Sequence, residues 1–474
     1  MRSAGSSRVV CAGCGYEAPR SDPYPFRCPR SGSEDTDHVM QRVLDPGGAR
    51  FDDLVDDDPN PFVRYRRLFH SWHVATSHGL TDDDYIDLVR RLDKEVAGVD
   101  GHGFVVTPFG RAGELSEQLG FRGGGGVWVK DETGNVSGSH KARHMMGLLV
   151  HLEVVEQTGM VGPGGRGLPD LAIASCGNAA LGAAVVARAA GRRLQVFVPT
   201  WGDPKVIARL EELGATVNVA PRVEGQAGDP TYHALTRAIE AGALPFTCQG
   251  NENGLVIEGG MTLGYELASQ LNEEGSPMNR LFVQVGGGAL ASAVIRGFRE
   301  AVSLGAIAEV PAVYTVQTEG GHPLERAYDR LARRILDRLA AAGDSDTETT
   351  DVSYFDGKRL RPSDFEHEQA YARTHRSEFM WPWEEEPASI ATGILDDETY
   401  DWFAVVTGML ETGGRPIVVG EATLEEANRI ARESTGIDVD HTGSSGLAGL
   451  LDLRRRGAVE AGERVGVLFT GVRR

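Results

Sequence analysis

The chain has 474 residues, 41% of them hydrophobic and 24% charged, the balance of a folded protein long enough for more than one domain. With 48 basic against 68 acidic residues its net charge is −20, which argues against nucleic-acid or anionic-membrane partners because both would repel it. No apolar run suits a membrane span, MRSAGSSRVV lacks the apolar core of a signal peptide, and five scattered cysteines do not make a disulfide framework, so a reducing cytoplasm is expected.

Residues 1–45 read as a small extension holding Cys11, Cys14 and Cys28 among Gly, Pro, Ser and Arg. Cys11-x-x-Cys14 is half of a zinc knuckle and Cys28 offers a third ligand. Ser31 stands near where a fourth cysteine would fall, and His38 is the nearest good donor. A structural zinc site and a metal-free extension both remain open. From about 60 to 98 the pattern is helical, with Tyr85, Leu88, Leu92 and Val96 spaced by three and four.

From Thr107 onward, strand-like and helix-like segments alternate. Strands are expected at 127–129, 171–174, 194–198, 216–219, 281–285, 313–317 and 465–469, and helices at 142–155, 179–190, 204–213, 231–241 and 291–301. Short apolar strands separated by helices predict an α/β fold with parallel sheets covered on both faces, and the length suits two sheets. Residues 343–388 break the rhythm: a polar, acidic stretch runs into MWPWEEEP and is expected to be a solvated insertion, the alternative being a lid in which Trp381 and Trp383 cover a site.

Four segments carry chemistry. In VWVKDETGNVSGSHKARHMMGLL, a strand leads through a polar loop to Ser139-His140-Lys141, where Ser139 is expected to cap a helix whose amides face Lys141. A lysine there can form a Schiff base. LAIASCGNAALGAAVV places Ser175, Gly177, Asn178 and Ala179 at a strand-to-helix turn whose amides can hold a carboxylate, although Asn178 alone would suit an ordinary turn. LFVQVGGGALASAVI puts Gly286, Gly287 and Gly288 before Ala289 and Leu290, a nest of amides suited to a phosphate. VDHTGSSGLAGLLDL precedes the last strand and offers Thr442, or Ser444 if the register slips by two.

In this order the segments resemble fold-type-II pyridoxal-phosphate (PLP) enzymes of the threonine-synthase and threonine-dehydratase type. Lys130-Asp131-Glu132 match the family's K-D-E, and Gly138, Ser139, Lys141 and Arg143 match its T-G-S-F-K-x-R. Thr107-Pro108, 257–267 and 316–320 resemble further family segments, so the likeness spans roughly 105–325 and 388–474. Two positions depart: Ala142 replaces the Asp usual in threonine synthases, and His140 replaces the usual Phe, as in tryptophan synthase β chains.

The resemblance implies two doubly wound three-layer α/β/α domains within 46–474, the smaller at about 140–250 and the larger formed by the remainder. It implies that Lys141 holds PLP and acts as the base, that Gly286–Leu290 seat the phosphate, and that Thr442 faces the ring nitrogen. Asn178 would meet the ring's phenolic oxygen, and Ser139, Ser175, Gly177, Asn178, Ala179 and Arg143 would bind substrate, with Lys205 as a further phosphate ligand. Related proteins carry an N-terminal ribbon, which favours zinc on Cys11, Cys14, Cys28 and His38. The expected activity is elimination or replacement at the β or γ carbon of a small amino acid by a homodimer. Threonine synthesis from O-phosphohomoserine is the first choice, a serine- or cysteine-directed β-elimination or β-replacement the second, and an inactive scaffold the non-enzyme alternative.

Overall fold

The period-two alternation along Arg280–Gln284 sends Leu281 and Val283 to one face of a sheet and Phe282 to the other, and apolar clusters cover both. The same burial on two sides shapes most of the chain. In the computed structural model, which describes residues 5–32, 34–161, 168–222, 228–341, 360 and 362–474, the strands are β1 Ser6–Cys11, β2 Met40–Asp45, β3 Phe109–Arg111, β4 Gly126–Asp131, β5 Leu171–Ala174, β6 Leu194–Pro199, β7 Thr216–Ala220, β8 Leu244–Pro245, β9 Arg280–Gln284, β10 Ala312–Thr318, β11 Pro416–Val419 and β12 Arg464–Phe469.

Two α/β sheets form, as the sequence predicts. The larger has the order β11-β10-β9-β12-β4-β3, parallel except for the β3–β4 pair. The smaller is parallel in the order β7-β6-β5-β8. Helix His441–Arg455 covers one face of the larger sheet through Leu447 and Leu450, while Val256–Glu274 and Ala289–Ser303 cover the other. The seven expected strands all form, with ends shifted by a residue or two. The short β3, β8 and β11 have no expected counterpart, because two to four residues carry too little pattern to read.

Two expectations need correction. The N-terminal extension does not stand apart. β1 and β2 pair antiparallel from Ser6↔Asp45 to Cys11↔Met40, and Arg42 on that hairpin is buried in ion pairs with Glu258 (2.7 Å) and Glu300 (2.8 Å) of the core. Nor is the described part of 343–388 a solvated insertion; 342–359 and 361 lie outside the described residues. Helix Pro362–Thr374 buries Phe365, and the chain after it buries Phe379 and Met380. Trp381 and Trp383 pack on helix Pro323–Ala341 and the turn before it, the first stacked 3.7 Å from the Arg326 guanidinium and the second 4.5 Å from the His322 ring. Among the described residues no helix is long and apolar enough to cross a membrane.

Helix Lys141–Gln157 runs between the two halves and is buried nearly all round. It approaches helix Val256–Glu274 so closely that a Cβ on Gly147 would lie 2.6 Å from the Gly259 Cα. Backbone on both sides leaves nothing flexible to yield. Gly147→Ala is therefore expected to cost about 1–3 kcal/mol by overpacking, read as a lower urea midpoint with an unchanged m-value.

Candidate active site

β4 carries the chain to Lys130-Asp131-Glu132, and the loop that follows ends at Lys141, the first residue of its helix and half-buried. The start of that helix is fixed by a buried ionic network. Arg143 donates from Nε to Glu132 (2.7 Å), from Nη1 to Glu266 (2.6 Å) and Thr262 (3.0 Å), and from Nη2 to Glu132 (2.9 Å), Glu266 and Thr107 (both 3.2 Å). Lys130 Nζ reaches Glu266 (2.6 Å), the Thr107 carbonyl (2.8 Å) and Gln270 (3.0 Å). Burial alone would raise the Glu266 carboxyl, but Arg143 and Lys130 outweigh it and hold Glu266 below its ordinary range.

Arg143 is thereby removed from the predicted substrate-binding set. Every face of its guanidinium is committed inside the core, and the residue has no exposed surface. Ser139 is likewise not the helix cap: His140 takes the N-cap position, without a capping side-chain bond, and Ser139 is extended beside Gly471. Lys205, a further candidate, lies exposed at the start of helix Pro204–Glu212.

A circuit of contacts brings the remaining predicted residues together around Lys141. The His140 amide donates to the Thr470 carbonyl (3.2 Å), just beyond β12. At the next residue, a Cβ on Gly471 would meet the Asn178 side-chain nitrogen at 2.7 Å. Asn178 begins helix Asn178–Ala189, which sits close to the lysine because Gly182 has no side chain; a Cβ there would lie 3.0 Å from the Ala142 nitrogen. Ser175 Oγ accepts a long bond (3.4 Å) from the Gly177 amide in the turn before this helix.

The Asn178 side chain bonds to Arg474 and Asp440. Asp440 caps helix His441–Arg455, and Thr442 on its first turn accepts the Gly393 amide (3.0 Å). Ser444, the slipped alternative to Thr442, is buried and tied to the Asp440 carbonyl (2.9 Å) and Asn428 (3.0 Å). The chain from Gly393 then passes over the triglycine turn. Gly288 has φ +95°, the left-handed conformation that glycine adopts without strain, and helix Ala289–Ser303 follows.

Over that turn lies an acid the sequence reading missed. The Asp396 carboxylate lies against Gly286 and Gly287, its Oδ2 overlapping the place where a Gly286 Cβ would stand; burial pushes its carboxyl up to about 6, against the Gly287 amide and the Lys141 charge, which favour the ionised form. Thr399 Oγ1 donates to the Gly286 carbonyl and the Asp401 amide to the Gly287 carbonyl, each at 3.0 Å. Asp401, Cys248, His140 and His144 also neighbour Lys141. Burial, followed by the Lys141 charge, lowers both histidines, His144 to about 3, so both imidazoles are neutral. Thr470 is a further residue missed by the sequence reading; it is buried, and the Gln284 side-chain amide donates to its hydroxyl. Its position just past a strand end beside the lysine loop is the signal that could have found it.

The residues present fit an anionic cofactor with a reactive carbonyl. A carboxylate already lies against the glycine turn, where the Gly287 amide favours its ionised form, so the turn accepts an anion. Side chains at Gly286 and Gly287 would collide with Asp396 and Tyr400. Ser139 Oγ and His140 Nε2 are buried beside Lys141 without hydrogen-bond partners among the described residues. Cys11, Cys14, Cys28 and His38 gather their ligand atoms within 4.8 Å of one another.

Two parallel sheets with a lysine-headed helix and a glycine turn meeting between them make up a fold-type-II PLP enzyme. The chain belongs to the pyridoxal-phosphate dependent enzyme family, whose model it matches over residues 102–471. It is 23% identical over 369 residues to a threonine synthase of Methanocaldococcus jannaschii, covering 77% of this chain and 74% of that protein. A serine dehydratase-like protein of Mus musculus is 28% identical over 222 residues, 47% of this chain and 59% of its own. A threonine deaminase of T.th. shares the fold with a TM-score of 0.54 at 20% identity, covering 82% of this chain and 98% of its own. The processed form of threonine deaminase isoform 2 from Solanum lycopersicum does so with a TM-score of 0.53 at 16% identity, covering 84% and 91%.

Replacing Glu266 with Ala would strand the buried Lys130 ammonium and leave Arg143 with Glu132 alone, and is expected to cost about 3–5 kcal/mol in denaturant unfolding. Because folding lowers the Glu266 carboxyl, its contribution is complete above its ordinary value of 4.5 and fades as pH falls through the folded value. Glu266→Gln should therefore show a shallower loss of stability below about pH 4.5 than the unaltered protein, measured by urea titration across pH.

Proposed function

We propose that this chain is a PLP-dependent lyase that acts on a small amino acid by elimination or replacement at the β or γ carbon, with Lys141 as its catalytic residue. The observation that carries this reading is the circuit joining Lys141, the Gly287 amide, Asn178 and Thr470 around one space. When bound, PLP supplies an electron sink for the pair left at the substrate α carbon. Lys141 holds the cofactor through its amine and then moves the α proton. The amides of Gly286–Leu290 seat the phosphate, and the turn at Ser175, Gly177, Asn178 and Ala179 orients the substrate carboxylate. Asn178 and Thr442 are the proposed ring partners. Thr470 is a second hydroxyl at the same rim.

Within this class, threonine synthesis from O-phosphohomoserine is the first reading. Its support is the likeness to the M. jannaschii enzyme, which extends over about three quarters of both chains. A specific observation favours a second reading, elimination from serine or threonine. Arg143 is unavailable to a substrate phosphate, and the carboxyl groups neighbouring Lys141 are Asp396 and Asp401, which would repel one. The cytoplasm and a homodimer are the proposed setting and assembly.

We also propose a structural zinc ion on Cys11, Cys14, Cys28 and His38. The Cys14 and Cys28 sulfurs are 3.7 Å apart, and Cys11 Sγ lies 3.5 Å from His38 Nδ1. Zinc–sulfur bonds of about 2.3 Å in a tetrahedron separate two sulfurs by about 3.8 Å.

Reconstitution with PLP is expected to give a visible absorbance band that Lys141→Ala abolishes; a colourless wild-type protein would remove the assignment. Incubation with O-phosphohomoserine, O-phosphoserine, serine and threonine separates the two readings. Phosphate release with threonine formed supports the first, and ammonia with a keto acid supports the second. Elemental analysis is expected to find one zinc per chain, reduced at least several-fold in His38→Ala; zinc-free protein from supplemented medium would refute the metal site.

A further inference from the structure

Residues 391–401 form a strap across the triglycine turn, and their contacts are of two kinds. Thr399 and Asp401 donate to the carbonyls of Gly286 and Gly287, which fastens the strap to the turn. Asp396 instead sets its carboxylate against Gly286 and Gly287, where the Gly287 amide, a group that an incoming phosphate would use, favours its charge. Its carboxylate also presses on Gly286, with Oδ2 overlapping the place where a Cβ would stand, and the Tyr400 ring lies 2.9 Å from the same point on Gly287.

We propose that Asp396 is a built-in competitor for the cofactor, its carboxylate lying against the glycine turn so that this side chain must leave before the phosphate seats. The inference rests on the PLP-binding reading above. Two like-charged oxyanions cannot crowd one glycine turn, so seating the phosphate and seating Asp396 exclude each other. The contact is also poised to release. Asp396 is buried near Asp229 and Asp397, which oppose its charge, while Lys141 and one amide favour it. A phosphate carries more charge and engages several amides of the nest, so it displaces a carboxylate held by one. Cofactor uptake is thereby a competition within the chain.

Such a competitor lowers apparent affinity by the fraction of time the nest is open, so a contact closed nine-tenths of the time weakens binding about tenfold. The test is rapid mixing of cofactor-stripped full-length protein with PLP, following growth of the visible band, together with an equilibrium titration. Asp396→Asn and Asp396→Ala are expected to bind PLP faster and up to about tenfold more tightly than wild type. Thr399→Val loosens the strap from the Gly286 carbonyl and is expected to shift binding the same way by about twofold or more, a check that survives if an Asp396 variant misfolds. Asp397→Asn removes a charge that repels Asp396 and does not itself touch the glycines, so it is expected to bind PLP no faster and no more tightly than wild type. If the Asp396 variants and Thr399→Val bind PLP no faster and no more tightly than wild type, or if Asp397→Asn accelerates uptake equally, the competitor is refuted while the cofactor reading stands. If no band forms in wild type or any variant, the cofactor reading itself fails.

Discussion

The arrangement of the active site depends on one buried ionic constraint, the closure of Lys130, Glu132, Arg143 and Glu266 around each other with no exposure to water. These groups come from the end of β4, the loop after it, the first turn of the lysine helix and the middle of helix Val256–Glu274. A charge in that interior is tolerated only when its hydrogen bonds are complete, so the four elements have little freedom to slide. Well-packed apolar residues could supply comparable stability; what the charges add is register. Lys141 sits two residues from Arg143, and its position follows from that register.

Parallel sheets shape the rest of the site. In such sheets the strand ends that open into helices lie along one edge, and chemistry collects there. β4, β5, β9 and β12 each end near the same space, delivering the lysine loop, the Asn178 turn, the triglycine turn and Thr470. No two of these segments are neighbours in sequence, and they come from both sheets. Small residues make the convergence possible: Gly147 and Gly182 let helices close on the lysine helix, and Gly286 and Gly287 leave room for an anion.

The segments legible in the sequence divide into two kinds once their partners are visible. Lys141, Ser175-x-Gly177-Asn178 and the three glycines belong to the proposed site. Lys130, Glu132, Arg143, Thr107 and Glu266 belong to the ionic network behind it. A motif contains both chemistry and support, and spacing along the chain does not separate them. Arg143 reads as a ligand in the sequence for that reason, because its guanidinium suits a phosphate as well as it suits Glu132 and Glu266.

The sequence alone determined the alternation of strands and helices, the two-sheet α/β class and the lysine and glycine segments, because all of these are local: they depend on the period of apolar residues and on which side chains a turn can accept. The cysteine cluster was legible for the same reason, since Cys11 and Cys14 lie three apart. Only the tertiary structure decided that the N-terminal hairpin docks through Arg42, that Trp381 and Trp383 pack away on Arg326 and His322, and that Asp396 lies against the glycine turn. Each of these contacts spans dozens to hundreds of residues. Aspartate in an acidic stretch and tryptophan in a loop have no local pattern that names their partners. Those partners exist only after the sheets have closed and burial has forced every charge and ring to find one.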